Sequence, residues 1–333
     1  MLRKEELRKE VFRKEVAVRT QPSFDLQQLE SYQPHWVRED FIDFIAEKFN
    51  PLWSYRKVKA RVLSIQQVGE DFYQLQLRPN QNFDYSRYQA GQSILVTVVI
   101  AGVCYQRHYS ILEINPAGHL SIAIKRQGLV STALTVLQAN RYIEISQPQG
   151  DFTLAALSDA QLNLAAKKLL FIASGSGITS IYALLNQALR RTDIMKIDLI
   201  YFSRDLAYLN QLMQLSEQYP HFHLCAIDTL DEPQHLDLAL LTRVVPDFQT
   251  RLCYACGAHG MMHAANQIYA QLGCSAQLKQ EYFLPPRTEQ SHEQTVHFIR
   301  AQQSFQTKGS LLESAEAAGL RPAHGCRMGI CNS

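Results

Sequence analysis

Three patterns of hydrophobic and polar positions follow one another along the chain. Over 36–49, Trp36, Val37, Phe41, Phe44, Ile45 and Phe49 recur at helical spacing with Arg38, Glu39, Asp40, Glu47 and Lys48 between them. This predicts an amphipathic helix that Pro51 ends. Short β-rich runs follow at 59–66, 71–77, 93–100, 107–112, 120–125 and 142–146, divided by turn material such as Val68-Gly69-Glu70 and Asn115-Pro116-Ala117-Gly118. Six runs with little helix between them predict an antiparallel barrel, with one helix at 130–137. Then the period changes. Apolar strands at 168–173, 196–202, 222–227 and 252–255 alternate with helical stretches at 180–190, 206–216, 236–241 and 260–272, which predicts a parallel sheet with crossover helices.

The ends are less regular. Residues 1–20 alternate Arg or Lys with Glu, read as a solvated helix without chemistry. The apolar stripe of 36–49 suits two seats, the face of the barrel or a membrane surface, and the sequence does not decide between them. Residues 285–294, with two prolines, read as a linker to a strand at 295–300, a polar turn and a helix at 310–318. The expected organisation is therefore a leader at 1–54, a barrel at 55–153, an α/β domain at 154–284, the linker, and an incomplete α+β fragment at 295–333. In that fragment Leu311, Leu312, Ala315 and Leu320 lack partner strands, so it is expected to pack poorly.

Composition narrows the class. With 333 residues, 46% apolar and 19% charged, the chain suits a globular protein of two domains or more. A net charge of +2 argues against nucleic acid as a partner. No apolar run reaches membrane-spanning length and Met1-Leu2-Arg3-Lys4-Glu5-Glu6 is not a signal peptide, so a cytoplasmic protein is expected, at most peripheral at a membrane. Seven cysteines, clustered only near the end, suit reduced thiols and a metal centre better than a disulfide framework.

The candidate chemistry begins at Arg107-His108-Tyr109-Ser110. On a strand, Arg107 and Tyr109 share one face, so a guanidinium can fork onto a phosphate while a ring lies against a planar group. Ser110 adds a donor for a ring nitrogen, and together these are what a flavin nucleotide needs. The helix opening at Gly128 with Ser131 and Thr132 offers backbone amides to a pyrophosphate. Further on, the strand 168–173 runs through Ser174-Gly175-Ser176-Gly177-Ile178-Thr179 into a helix, a turn that lets backbone approach a second pyrophosphate.

Arg107-x-Tyr109-Ser110, preceded by Gly91-Gln92-Ser93 and followed by Gly128-Leu129-Val130-Ser131, resembles the flavin domain of the ferredoxin–NADP reductase superfamily. The resemblance implies that Arg107 contacts flavin phosphates, Tyr109 stacks on the isoalloxazine and Ser110 approaches its N5. His108, Lys125, Gly128, Val130, Ser131 and Thr132 complete the implied FAD set. The later segment resembles the family's nucleotide domain, whose loop usually reads Gly-x-Gly-x-Thr-Pro. Gly175, Gly177, Ile178 and Thr179 then hold a nicotinamide dinucleotide, and Ser180 stands where Pro is common. Since Pro is favoured there for its preset φ, this change is expected to matter little. Cys256-Gly257-Ala258-His259-Gly260-Met261 resembles the family's Cys-Gly-Pro-x-x-Met motif, which places Cys256, Gly257 and Met261 at the nicotinamide. Glu281-Tyr282-Phe283 matches a Glu-x-Phe that borders the flavin, so Tyr109, Ser110, Cys256 and Glu281 are the implied catalytic group and Phe283 a cofactor contact.

The second strand of the α/β domain ends Tyr201-Phe202-Ser203-Arg204-Asp205. Ser203 and Arg204 favour a 2′-phosphate and hence NADPH, whereas Asp205 leaves NADH open. Cys326 and Cys331 have the C-x4-C spacing that opens a plant-type [2Fe–2S] signature, but the other ligands would fall beyond Ser333, so the cluster is expected only in the complete protein. A two-cysteine zinc site is disfavoured, because His324 is too close to Cys326. The order of modules implies an NAD(P)H-dependent flavoprotein reductase feeding a protein acceptor, a membrane acyl-CoA desaturase or an oxygenase. A ring-hydroxylating oxygenase reductase and a free-standing flavin or quinone reductase are the alternatives.

Overall fold

The computed structural model describes residues 39–100, 102–154, 168–231, 233–283, 294–299, 302–307 and 311–320. Met1–Ile42 and Asp43–Ser333 form separate units, and the second holds both domains. Helix α1 (Glu39–Phe49) meets the barrel with its acidic side. Buried Asp43 accepts from the Ser54 hydroxyl at 2.9 Å and the Tyr55 amide at 2.6 Å, and Glu47 pairs with Lys59. Phe44, Ile45 and Phe49 are left exposed, Phe49 at 79%. Phe44, Ile45 and Phe49 thus do not face the barrel, because hydroxyl, amide and ammonium groups line this seam.

Six strands close the antiparallel barrel: β1 (Val58–Gln67), β2 (Phe72–Pro79), β3 (Ser93–Ile100), β4 (Val103–Ile114), β5 (Leu120–Lys125) and β6 (Tyr142–Ile145), in the order β1-β2-β5-β4-β3-β6. Alternate residues such as Ala60, Val62, Leu75, Leu77, Ile94, Val96, Ile111 and Ile122 fill its interior. Helix α2 (Leu129–Thr135) adds Val130 and Leu134 to the same core. Strand β4 is longer than its predicted 107–112, since pairing with the whole of β3 carries it through polar Gln106, whose amide donates to Thr97 Oγ1 at 3.1 Å.

The second domain runs β7 (Lys168–Ser174), α3 (Ile178–Leu189), β8 (Lys196–Ser203), α4 (Leu209–Gln218), β9 (Phe222–Asp228), α5 (Leu238–Val244), β10 (Leu252–Cys256), α6 (His259–Gln271) and β11 (Leu278–Glu281). All five strands are parallel, in the order β11-β10-β7-β8-β9. The order reverses between β7 and β10, where open α/β sheets leave a ligand crevice at the carboxyl ends. One face of the sheet, with Phe171, Leu199, Tyr201 and Tyr254, packs on α3 and takes in Phe72, Leu112, Ala123 and Phe152 from the barrel. The two domains therefore share one core, sealed at its edge by the Tyr254 hydroxyl donating to the Thr153 carbonyl at 3.2 Å.

Beyond them lie a hairpin, β12 (Thr295–Phe298) with β13 (Gln303–Gln306), and helix α7 (Leu311–Ala317). The predicted polar turn is partly this second strand, held by His297 and Ser304 at 2.6 Å and by Gln306 donating to Thr295 at 2.8 Å. The Cys326 and Cys331 pair lies outside the described residues.

At the opposite end of the sheet from the crevice, Arg251 is fully buried and pairs with Asp198 and Asp247. Removing it leaves Asp198, itself buried, with only the largely exposed His223 ring, 3.9 Å away, beside its charge. Arg251→Leu is expected to cost about 3–5 kcal/mol in urea unfolding. A loss under about 1 kcal/mol would show that Asp198 does not depend on this partner.

Candidate active site

Strand β4 carries the first part of the site. Arg107 and Tyr109 stand opposite Val96 and Ile94 in the register, on one face, and both are half-buried. The Arg107 guanidinium donates to the Gln106 carbonyl at 2.7 Å. Burial pushes the Tyr109 phenol above its ordinary range, with Arg107 pulling the other way, so the ring is neutral. His108 points to the other face, 3.3 Å from Ser93 Oγ, and burial lowers its pKa, which favours neutral imidazole. At the start of α2 the Ser131 hydroxyl accepts from the amides of Gln127 and Gly128 at 3.1 and 3.0 Å, so it serves the turn itself. Val130 is buried in the barrel core, Thr132 is exposed, and Gly128 leaves open space where a side chain would stand.

The crevice carries the second part. A Cβ on Gly177 would lie 2.0 Å from the Cys256 carbonyl oxygen, so only glycine lets the β7–α3 turn lie against the end of β10. Gly257, at φ +151°, is equally confined, for a Cβ would meet Ser174 Oγ at 2.3 Å. Ile178 is buried in the shared core and Thr179 donates to the Ser176 carbonyl at 3.0 Å. From the barrel, Lys125 Nζ reaches within 3.8 Å of where a side chain on Gly175 would begin, which sets a cation over the glycine turn. Met261 packs with the cluster on the far face of the sheet, whereas Phe283 packs with the shared core.

Where the two parts meet, four side chains join. The Ser110 and Ser180 hydroxyls are 2.8 Å apart, Ser180 donates to Glu281 Oε2, and Cys256 Sγ lies 3.9 Å from the same oxygen. Register explains the last contact, because Cys256 of β10 pairs with Glu281 of β11. Burial, together with the charge of Asp151, raises the Glu281 pKa from 4.5 to about 7, against the hydrogen bonds from Ser180 and Cys256. Burial and then the Glu281 charge push the Cys256 thiol well up, so it is a neutral thiol and not a thiolate. Ser180 is the member that sequence reasoning missed: its position was read for backbone preference, while its hydroxyl is what the site uses.

At the far end of the crevice Ser203 is buried and donates to the Asp205 carbonyl at 2.6 Å. Arg204 is exposed. The Asp205 carboxylate packs against Gly69 and accepts from the Asp71 amide at 2.9 Å, tying the α/β domain to the β1–β2 turn of the barrel.

The residues fit the groups the fold calls for. An aromatic face beside a guanidinium suits a flavin nucleotide, and a glycine turn under a cation suits a dinucleotide diphosphate. Residues 59–154 match the family of oxidoreductase FAD-binding domains, and residues 171–267 that of oxidoreductase NAD-binding domains. The chain is an NAD(P)H-dependent FAD oxidoreductase. An NADPH oxidoreductase of Mycobacterium tuberculosis is 30% identical to it over 298 residues, 85% of this chain and 76% of that one. A flavohemoprotein of Bacillus subtilis is 26% identical over 217 residues, 59% of this chain and 51% of its own length. The crystal structure of phthalate dioxygenase reductase superposes with a TM-score of 0.58 at 22% identity, over 83% of this chain and 84% of that one. The chain belongs to the family of oxidoreductases that join these FAD-binding and NAD-binding domains, and its relatives include reductase components of oxygenases.

The Glu281 shift has a definite sign. Below pH 4.5 both folded and unfolded chains hold the proton; between 4.5 and about 7 the unfolded chain releases it and the folded one keeps it, so stability falls as pH rises through this window. Above it the full penalty, about 3 kcal/mol, is present. Glu281→Gln is therefore expected to flatten the decline in melting temperature between pH 5 and 8, measured by differential scanning calorimetry. An unchanged decline would place the titrating group elsewhere.

Proposed function

We propose that this reductase takes a hydride from NADPH onto FAD and releases electrons singly, through a [2Fe–2S] centre in the complete protein, to an oxygenase or a desaturase. The observation that carries the reading is the buried group at the domain junction, where Ser110 of the barrel and Cys256 and Glu281 of the sheet come together through Ser180. Bound FAD supplies a two-electron acceptor that can give up electrons one at a time. Arg107 would hold its phosphates, helped by backbone at Gly128, and Tyr109 would cover its ring. Gly175, Gly177 and Lys125 would hold the dinucleotide diphosphate, with the nicotinamide directed to Cys256. The protein's own contribution is alignment and exclusion of water: Ser110, Ser180 and Cys256 at the junction are buried and Glu281 is half-buried, and the thiol and phenol are neutral.

The preference for NADPH is supported at the β8 end. Asp205, the side chain that would repel a 2′-phosphate, is engaged by the Asp71 amide, and exposed Arg204 is available to one. The M. tuberculosis relative is named an NADPH oxidoreductase. For the cluster, Cys326 and Cys331 supply half of a four-thiolate set. The solved relative is described as moving electrons from pyridine nucleotides to [2Fe-2S]. No helix among the described residues is long and apolar enough to cross a membrane, and the exposed apolar side of α1 supports a peripheral seat for delivery to a membrane-bound desaturase.

Anaerobic mixing with each nicotinamide nucleotide, followed by flavin bleaching, tests the reading. NADPH is expected to bleach the flavin at least roughly tenfold faster than NADH, the effect of about one charge-assisted contact. Equal rates would remove the preference, and a colourless purified protein would remove the reading. Arg107→Ala is expected to weaken FAD binding about 10–100-fold with unchanged circular dichroism. Full flavin occupancy in that variant would count against the phosphate role.

A further inference from the structure

Ser180 has no exposed surface, and its hydroxyl lies between Ser110 and Glu281, one on each domain. A proline at this place would lack that hydroxyl. We propose that Ser180 is a positioning residue whose hydroxyl fixes which way the Ser110 hydroxyl points, and so whether Ser110 offers a proton or a lone pair to the flavin side of the junction. This rests on the flavin reading of the site.

Each serine has one proton to give and lone pairs to receive, while an ionised carboxylate can only receive. With Glu281 ionised, Ser180 gives its proton to Oε2 and takes that of Ser110, which is left with lone pairs outward. With Glu281 protonated, the carboxyl can give to Ser180, Ser180 to Ser110, and the Ser110 proton turns outward. No covalent bond breaks in this reversal; the hydroxyls only rotate. The protonation state of a carboxyl buried in one domain is thereby expressed at a hydroxyl of the other.

The groups facing Glu281 allow the switch to operate near neutral pH. From β10 comes the Cys256 thiol, held neutral, and from the connection after the barrel comes Asp151, whose charge favours the protonated carboxyl. From α3 and β4 come the uncharged hydroxyls of Ser180 and Ser110. Ser180 itself favours the ionised form, so its loss should move the transition upward.

The test uses the full chain with Ser180→Ala, Ser180→Pro and Ser180→Thr. In FAD-free protein, the decline in stability still begins near the unfolded pKa, but the pH at which it levels off, about 7 in the wild type, is expected to rise by about one unit in the Ala and Pro variants, the effect of one hydrogen bond to the charged form, and to return in Thr. In FAD-loaded protein, the pH midpoint of flavin reduction should move by the same amount and in the same order. Ala and Pro variants that keep both wild-type midpoints overturn the proposal. Should Ala and Pro fail to fold, infrared spectroscopy of the wild-type fold decides: the protonated-carboxyl band that Glu281→Gln removes must shift in Ser110→Ala if Ser180 bridges them, and an unmoved band sinks the idea. A wild-type chain that binds no FAD defeats the flavin reading, whereas FAD-bound variants with unmoved midpoints defeat this inference alone.

Discussion

Backbone lies against backbone at the centre of this structure. The β7–α3 turn approaches the end of β10 so closely at Gly177 that a single methyl group would overlap the Cys256 carbonyl, and the Ala258 amide donates to Ser174 Oγ at 2.6 Å across the same gap. Because neither turn can retreat without breaking the parallel pairing of β7 with β10, the residues flanking each glycine are fixed side by side. Ser180 is two residues into α3 from its first residue, Ile178, and Cys256 ends β10, so the approach of the turns sets the hydroxyl beside the thiol. Pairing of β10 with β11 then brings Glu281 to both.

The same rigidity extends to the barrel through apolar packing. Phe72, Leu112, Ala123 and Phe152 of the barrel lie in the core of the sheet, and Ile181, Leu184 and Leu185 of α3 lie in it with them. A core residue makes contacts with many neighbours at near-crystalline density, so one domain cannot slide on the other without opening voids. Ser110 and Leu112 lie on the same face of β4, two residues apart, and Leu112 is anchored in that shared core. The distance between Ser110 and Ser180 is therefore a consequence of packing and not of the hydrogen bond itself, which is how a network of two hydroxyls, a carboxyl and a thiol can span two domains.

Much of this was legible in the sequence because period-two and helical patterns map onto burial on each side of a strand or helix. The six barrel runs, the first four sheet strands and the glycine turn all carry such patterns. Strand β11 does not: Leu278-Lys279-Gln280-Glu281 is polar, half-buried throughout, and held by its parallel pairing with β10. The orientation of α1 was hidden for a related reason. Periodicity shows which stripe is apolar, but the side that meets a neighbour depends on what the neighbour offers, and here Lys59, Ser54 and the Tyr55 amide drew Asp43 and Glu47 inward. Asp205 was weighed as a ribose ligand from its place after β8; its contact with the Asp71 amide joins positions 134 residues apart, which no local pattern encodes.

The electrostatic character of the junction follows from the same burial. A buried carboxyl beside a lysine or arginine would be held ionised at every pH of interest, and it would impose a fixed negative charge on any flavin near it. Glu281 instead has a thiol and a hydroxyl for hydrogen-bond partners and a second carboxylate, Asp151, as a charged neighbour. Its proton is thus retained to about pH 7, where small changes in its surroundings change its charge. A group poised in this way responds to a new charge appearing beside it by shifting its own protonation, and a site that alternately gains and loses electrons presents such a charge on every turnover. Neutral hydrogen-bond partners offset only part of the burial penalty on the carboxylate, and that partial offset is what leaves it free to respond.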